Sequence, residues 1–365
     1  MLMLIQYEFI ILLIIDAVKI LTIGSAIMGA FMGALMVERK LIGRFTGRYG
    51  PNRVGPFGLL QPVADGVKMF FKEEIVPGHV DKLVYLIAPA LSLTAALLTF
   101  GVVPFGRESI TLPFVETLLG FPVKLAPWVA DINVGVLYLM AIGSLGTYGV
   151  VLGGWASNNK YSLLGGLRTS AQMLSYELPV GVAMLSVVLV TGTLRVREIV
   201  EFQTQYGGLF WLVFLQPVAF LIFFIGGLAE AGRAPFDLPE TENELIGGFI
   251  TEYGAMKFGL FQAAEFVHAM MLCTLITTIF LGGWNLPFLQ QIFIFLPFLQ
   301  LISPVIYLSI FLAKSILMYC VLIWVRASVP RMRFDQLMGF CWKLLLPIGL
   351  ANLIITALVL AVLFF

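Results

Sequence analysis

Eight apolar runs, each long enough to cross a bilayer, leave this 365-residue chain few possible folds. A hydrocarbon core of about 30 Å needs about 20 helical residues at 1.5 Å each. The runs are Phe9 to Val37, Leu83 to Phe105, Ile132 to Trp155, Leu178 to Leu194, Leu209 to Ala229, Phe258 to Trp284, Leu299 to Val325 and Leu344 to Phe365. Closed β-barrels are the other spanning solution, but their strands alternate apolar and polar residues, and these runs do not. The expected fold is all-α: a polytopic membrane protein in which residues 1–365 form one integral membrane domain with eight transmembrane helices. Composition agrees, because 60% hydrophobic and only 12% charged residues leave too little polar surface to solvate a globule of this size. A soluble enzyme, a disordered chain and a nucleic-acid binder are excluded.

Lysine and arginine set the expected orientation. Segments 38–82, 156–177, 230–257 and 326–343 carry 8, 2, 2 and 4 of them, against Arg107, Lys124, Arg195 and Arg197 in the intervening loops. Basic residues stay on the cytoplasmic side, so both termini are expected outside. Two more cations fall within spans. Lys19 is one turn from Asp16, which suits an ion pair or a snorkelling side chain. Lys314 has no acid on its own helix, and a charge at the membrane centre costs roughly 2.5–3.5 kcal/mol. It is expected to face the bundle or a hydrated path. Ser25, Gly29 and Gly33, and likewise Gly149 and Gly153, recur every fourth residue and are expected to let helices approach closely.

Ligands for a redox group are missing. Cys273, Cys320 and Cys341 form no CxxC, and His79 and His268 are the only histidines, so neither a metal site nor a cluster has its spacing. The cysteines read as small buried apolar residues. No cofactor is expected on this chain, and any redox chemistry must use groups carried elsewhere. The opening Met1-Leu2-Met3-Leu4 has no basic region or cleavage site, and its apolar stretch is too long for a signal peptide. Residue 1 is expected to stay.

The largest polar segment, 38–82, is basic. Arg39, Arg44, Arg48 and Arg53 come every four to five residues, and Gly-Pro pairs at 50/51 and 55/56 stop a continuous helix. Positive-inside anchoring accounts for some of this charge, but a stiff turn suits docking of another protein or an anionic ligand. Beyond it, apolar residues at 59, 60, 63, 67, 70 and 71 alternate at helical spacing with Asp65, Lys68, Lys72 and Glu73. That pattern predicts an amphipathic helix lying at the interface, starting near Pro62.

The other anomaly is acidic. Between Glu230 and Glu265 lie seven acids, Glu230, Asp237, Glu240, Glu242, Glu244, Glu252 and Glu265, against Arg233 and Lys257. Glu240 and Glu244 share a helix face if Pro239 starts a helix. Crowded, desolvated carboxylates raise one another's pKa and can pass protons near neutral pH. A solvated acidic loop is the plainer alternative, weakened because Glu230 and Glu265 fall at or inside spans, where carboxylates mark ion pathways. Glu177, at the mouth of the fourth expected span, is a further candidate. His268, one turn from Glu265, suits either a proton partner or a packing role.

These segments carry a resemblance. Glu38-Arg39-Lys40 through Gly50-Pro51-Asn52-Arg53-Val54-Gly55-Pro56, Leu60-Gln61-Pro62-Val63-Ala64-Asp65, Ser175-Tyr176-Glu177, Arg233-Ala234-Pro235-Phe236-Asp237-Leu238-Pro239-Glu240, Thr251-Glu252-Tyr253 and Ala264-Glu265-Phe266 resemble the H-type membrane subunit of the proton-pumping NADH:quinone oxidoreductases, respiratory complex I. The likeness runs from about residue 30 to 345.

The resemblance implies a membrane subunit that anchors the hydrophilic arm, forms the membrane end of the quinone chamber and feeds a carboxylate chain toward antiporter-like subunits. Quinone is then the substrate, and FMN and iron–sulfur clusters belong to partner subunits. The implied partners are the subunit with the terminal iron–sulfur cluster, the quinone-site subunit, small membrane subunits, antiporter-like subunits and membrane lipid. The implied location is a bacterial inner membrane. By position, Arg39 and Asp65, with Lys68 beside them, match residues near the quinone path. Glu177, Glu230, Asp237, Glu240, Glu242, Glu244, Glu252 and Glu265 match the acidic chain, with Arg233 and Tyr253 as partners. Some relatives place an acid in the third span where this chain reads Gly143-Ser144-Leu145, so a proton route there must use Ser144, water or Asp131. Two rivals share these features: the equivalent subunit of a proton-pumping hydrogenase or a ferredoxin- or deazaflavin-linked complex, and a stand-alone ion transporter. The transporter would be marked by inverted repeats, and no repeat is visible.

Overall fold

A computed structural model describes residues 2–107, 110–111, 124–205, 211–237, 245–287, 289 and 302–364. Its helices are α1 (Leu2–Phe45), α2 (Gln61–Phe71), α3 (Lys82–Thr99), α4 (Gly135–Ala156), α5 (Lys160–Thr191), α6 (Val196–Gln205), α7 (Leu212–Leu215), α8 (Pro217–Glu230), α9 (Ala255–Ile279), α10 (Ser303–Ser328), α11 (Phe334–Phe340) and α12 (Leu346–Phe364). The only strands among the described residues are β1 (Ile110–Thr111) and β2 (Lys124–Leu125), an antiparallel pair between α3 and α4.

Seven helical segments among the described residues are long and apolar enough to cross a membrane: Leu13–Phe45, Lys82–Val102, Gly135–Ala156, Lys160–Thr191, Ala255–Ile279, Ser303–Ser328 and Phe334–Leu363. This is the build of a multi-pass membrane protein. The fifth expected span is the exception. It is divided into α7 and the 14-residue α8, and α8 alone reaches only about 21 Å. Pro217, which has no N–H to donate, starts α8, and the break is closed by side chains. The Gln216 amide donates to Thr356 Oγ1 at 3.0 Å, and Asn352 of α12 donates to Gln216 Oε1 at 3.0 Å. A broken helix is tolerated in a bilayer when protein satisfies its polar groups in this way.

Three boundaries depart from the hydropathy expectation, one of them at the last span, whose helix begins at Phe334 rather than Leu344. Helix α1 continues past Val37 to Phe45, so the first residues of the basic segment are helical. Helix α5 starts at Lys160, well ahead of Leu178, and Glu177 lies inside it rather than at its mouth. At Glu38 and at Glu177 a charged residue ends an apolar run without ending the helix, since a charged side chain leaves the backbone hydrogen-bond ladder intact, and α5 also accommodates Pro179 in its interior.

In the bundle, α3 packs on α4 and α9, α5 on α4, α8 and α12, and α9 on α10, while α1 runs along α9 and α10. Their apolar core includes Tyr176, Phe223, Val267, Ile276 and Phe311. The third-span small residues act as expected: a Cβ on Gly149 would overlap Ser92 Oγ and stand 2.9 Å from the Ala88 carbonyl of α3. The first-span stripe does not. A Cβ added at Gly29 or Gly33 would meet nothing within 4 Å, and Gly33 lines a cavity shared with Met270 and Thr274 of α9 and Leu312 and Tyr319 of α10 rather than a close helix contact.

Candidate functional site

The Phe45 end of α1 meets α2. Arg39 donates to Asp65 on α2, Gln61 donates to the other oxygen of Asp65 at 3.2 Å, and Lys68 lies 4.0 Å from it. Partial burial pushes the Asp65 carboxyl up, but the Arg39 bond and charge, with Gln61 and Lys68, outweigh it and hold the group below its ordinary value. Lys40 donates to the Phe57 carbonyl at 2.6 Å, tying down the Gly-Pro turn. That turn needs glycine at 58, where φ is +74° and a Cβ would overlap the Pro51 carbonyl oxygen. Arg44, Arg48 and Arg53 are all exposed around it. Helix α2 leaves Val63, Val67, Phe70 and Phe71 exposed.

Three helices bring carboxylates together deeper in the bundle. Glu177 comes from α5, Glu230 ends α8, and Glu265 and His268 lie one turn apart on α9. Glu177 accepts from Ser144 Oγ on α4, and His268 Nε2 lies 3.5 Å from Glu230 Oε1. Two cavities of about 50 Å³ each adjoin them. One is lined by Glu177, Glu230, His268 and Gly143, the other by Glu230, His268, Glu265 and Gly143. Each has room for at least one water, and both have the polar partners a water needs. Glu230 and His268 therefore belong to both. In the Gly143-Ser144-Leu145 stretch it is Ser144 that meets Glu177, whereas Asp131 is exposed ahead of α4.

The other predicted acids lie apart. Buried Asp237 accepts from Arg331 at 2.8 Å. Glu252 accepts from Asn159 Nδ2 at 2.8 Å, and its backbone carbonyl accepts from the Tyr85 hydroxyl at 2.7 Å. Tyr253 stacks on Tyr85, ring centroids 4.2 Å apart, and burial, with Tyr85 alongside, raises its phenol above the ordinary value. Arg233 faces Glu38, 3.5 Å away. Glu240, Glu242 and Glu244, with Pro239, lie outside the described residues. Lys314 faces the bundle: its ammonium donates to the carbonyls of Leu281, Gly283 and Asn285 at 2.6, 3.0 and 2.5 Å and lies 4.5 Å over Trp211. It ties together the turn that follows α9. Among the described residues no three His, Cys, Asp or Glu side chains are grouped to hold a metal.

Sequence reasoning missed several residues of this region. Glu38 was visible only as one letter of a basic motif, and Tyr319 and Arg326, which meet it, are more than 280 positions away with no local signal. Gln172 is 0% exposed and donates to the carbonyls of Ala229 and Phe236, both at 2.7 Å, holding the two ends of the turn after α8.

A family model described as NADH dehydrogenase matches residues 18–357. The chain belongs to this family. Among curated proteins, the first of the H-type NADH-quinone oxidoreductase subunits of Geobacter sulfurreducens is 46% identical over 343 residues, 93% of each chain. NADH-quinone oxidoreductase subunit 8 of Thermus thermophilus is 44% identical over 94% of this chain and 87% of its own. The H-type NADH-quinone oxidoreductase subunit of Protochlamydia amoebophila is 47% identical over 88% of this chain and 90% of its own. The resemblance read from the motifs is thus membership of the H-type family of complex I membrane subunits, and the arginine-bound Asp65 and the Glu177–Glu230–Glu265 cluster are features of one of its members.

Proposed function

We propose that the chain is the membrane subunit that walls the quinone chamber of a proton-translocating NADH:quinone oxidoreductase, anchors its hydrophilic arm and couples quinone reduction to proton movement. The observation that carries this is the pair of cavities sharing Glu230 and His268, flanked by Glu177 and Glu265. Carboxylates inside a membrane protein that face small, otherwise largely apolar cavities are expensive to place there and mark ion or proton pathways. The names of the relatives support the substrate: each is a subunit of an NADH-quinone oxidoreductase.

Quinone would slide from lipid past the exposed apolar residues of α2, lying at the interface, toward Arg39 and Asp65. Reduction needs two electrons, delivered by an iron–sulfur cluster of a partner subunit, and two protons. The negative charge that arrives first would shift protons or conformation in the segment between α8 and α9, including Glu240, Glu242 and Glu244. Coupling at a distance needs a two-state element, and this segment is the candidate. In this account the divided α7–α8 completes eight crossings of a bacterial inner membrane, the arginine-rich segments face the cytoplasm, and the exposed Arg44, Arg48 and Arg53 dock the hydrophilic arm. The partners are the terminal-cluster and quinone-site subunits on one side and the small and antiporter-like membrane subunits on the other.

Isolation of the intact complex from membranes tests this. NADH-driven quinone reduction by a preparation containing the chain is expected. Hydrogenase activity without quinone reduction would transfer the chain to the hydrogenase-type rival, and transport by the lone chain would favour the transporter.

A further inference from the structure

A buried charge cluster next to Arg39 lies outside both the quinone path and the paired cavities. Glu38 is 6% exposed. Its Oε1 accepts from Arg326 and faces Arg233 Nη1 at 3.5 Å, while Oε2 accepts from the Tyr319 hydroxyl at 3.0 Å. Three parts of the chain meet at this one carboxylate: α1, α10 and the turn that follows α8. Arg233 reaches further still. Its guanidinium lies 3.8 Å over the ring of Phe266, the residue after Glu265, and Phe266 in turn meets Phe31 of α1 edge-on at 5.7 Å.

A buried ion group of this kind adds little net stability, because desolvation offsets the attraction; its best attested use is to select one register or one of two states. The register selected here is informative. Glu38 holds the turn carrying Arg233, and the next residue, Arg39, holds Asp65 of α2. The same turn of α1 is therefore bonded on one side to the helix offered to quinone and on the other to the segment that leads from Glu230 into the acidic loop.

We propose that Glu38 is a positioning residue that latches the segment after α8 to α1 and α10, so that a displacement of α1 or α2 by bound quinone is passed to the segment bearing the carboxylates. The inference rests on the quinone reading above. Losing the Glu38 charge leaves Arg233 and Arg326 facing an amide instead of a carboxylate and releases Arg233 from its partner on α1. The latched arrangement is then expected to lose about tenfold in population, the scale of one charge-assisted hydrogen bond.

The test uses the whole complex in closed membrane vesicles. Glu38→Gln is compared with wild type for NADH oxidation by ferricyanide, which reports assembled complex, for NADH:quinone turnover and for protons moved per electron. Normal ferricyanide activity with quinone turnover reduced about tenfold, or with a lowered proton-to-electron ratio, is expected. Tyr319→Phe removes one hydroxyl and no charge, and is expected to give a smaller change in the same direction; it decides the matter if Glu38→Gln fails to assemble. Glu38→Asp keeps the charge and is expected to restore the ratio in part. Assembled variants with wild-type turnover and ratio, or losses that only follow the amount of complex, overturn the latch. Asp65→Asn separates the two levels. A changed quinone KM in Asp65→Asn with no effect of Glu38→Gln removes the latch alone, whereas no effect of either removes the quinone reading as well.

Discussion

Replacing Gln172 by methionine, which keeps the length of the side chain and removes its amide, should loosen the turn that joins Glu230 to the acidic loop. The Gln172 amide nitrogen donates to Ala229 and Phe236 at 2.7 Å each from a fully buried position. Leaving a buried carbonyl without a donor costs about 1–3 kcal/mol in soluble proteins, but side-chain hydrogen bonds in bilayers average about 0.6 and reach about 1.7. The Ala229 carbonyl, at the end of α8, keeps the Gly232 N–H at 3.3 Å, so its loss is about 1 kcal/mol, whereas Phe236, in the turn beyond, loses about 1–3 kcal/mol. One term acts the other way: Gln172 Oε1 is buried and finds no hydrogen-bond donor among the described residues, and its removal returns about 1 kcal/mol. The net loss is about 1–3 kcal/mol, or a 5- to 150-fold larger opening constant for the turn. Hydrogen exchange of the purified complex reads this at the amides of Ala231, Gly232, Arg233 and Phe236, which bond within the turn and the end of α8. Exchange should accelerate there and remain unchanged at α3. Protection unchanged to within about twofold would show that the two bonds do not hold the turn and that the reasoning is wrong.

Asp65 has a depressed carboxyl, so its contribution is complete above the unfolded value and is lost only as pH falls through the lower folded one. Quinone KM should therefore show no titration from the Arg39–Asp65 pair between about pH 5 and 8, and a midpoint in that range that disappears in Asp65→Asn would contradict the pairing. Because the pair is partly exposed, Asp65→Asn itself should change quinone KM measurably but modestly, by about two- to fivefold. Lys314→Met leaves three carbonyls without their ammonium and should cost about 2–4 kcal/mol, seen as a lower thermal midpoint of the solubilised complex; an unchanged midpoint would show that the tie contributes nothing. Gly165→Ala would place a Cβ 2.7 Å from the backbone of both Gly248 and Phe249, an overpacking of about 1–3 kcal/mol that should make the segment before α9 more susceptible to proteolysis.

The membrane class of the chain was readable because apolar runs and the absence of alternation depend on single residues and their neighbours. Hydropathy failed where it was asked for helix ends. It stopped α1 before Glu38 and started α5 after Glu177, although the helices continue through both. It also could not show that the fifth run breaks at Gln216, since the compensation comes from Asn352 and Thr356 in α12. Charge counting singled out Glu177, Glu230 and Glu265, and the fold places them around shared cavities. It could not separate them from Asp237 and Glu252, whose partners Arg331 and Asn159 are set by tertiary packing alone. Glu38 was the least legible. In the sequence it is an acid among arginines at a helix end, and only the fold turns it inward between two of them.

The most direct test of the central claim is the number of protons moved per electron in closed vesicles carrying Glu230→Gln or Glu265→Gln, each in the assembled complex. Both substitutions keep the shape of the side chain and remove its ability to hold a charge. The account predicts that NADH still reduces quinone, more slowly, while the proton-to-electron ratio falls. Normal ratios in both variants would contradict it, because the carboxylates around the paired cavities would then take no part in moving protons.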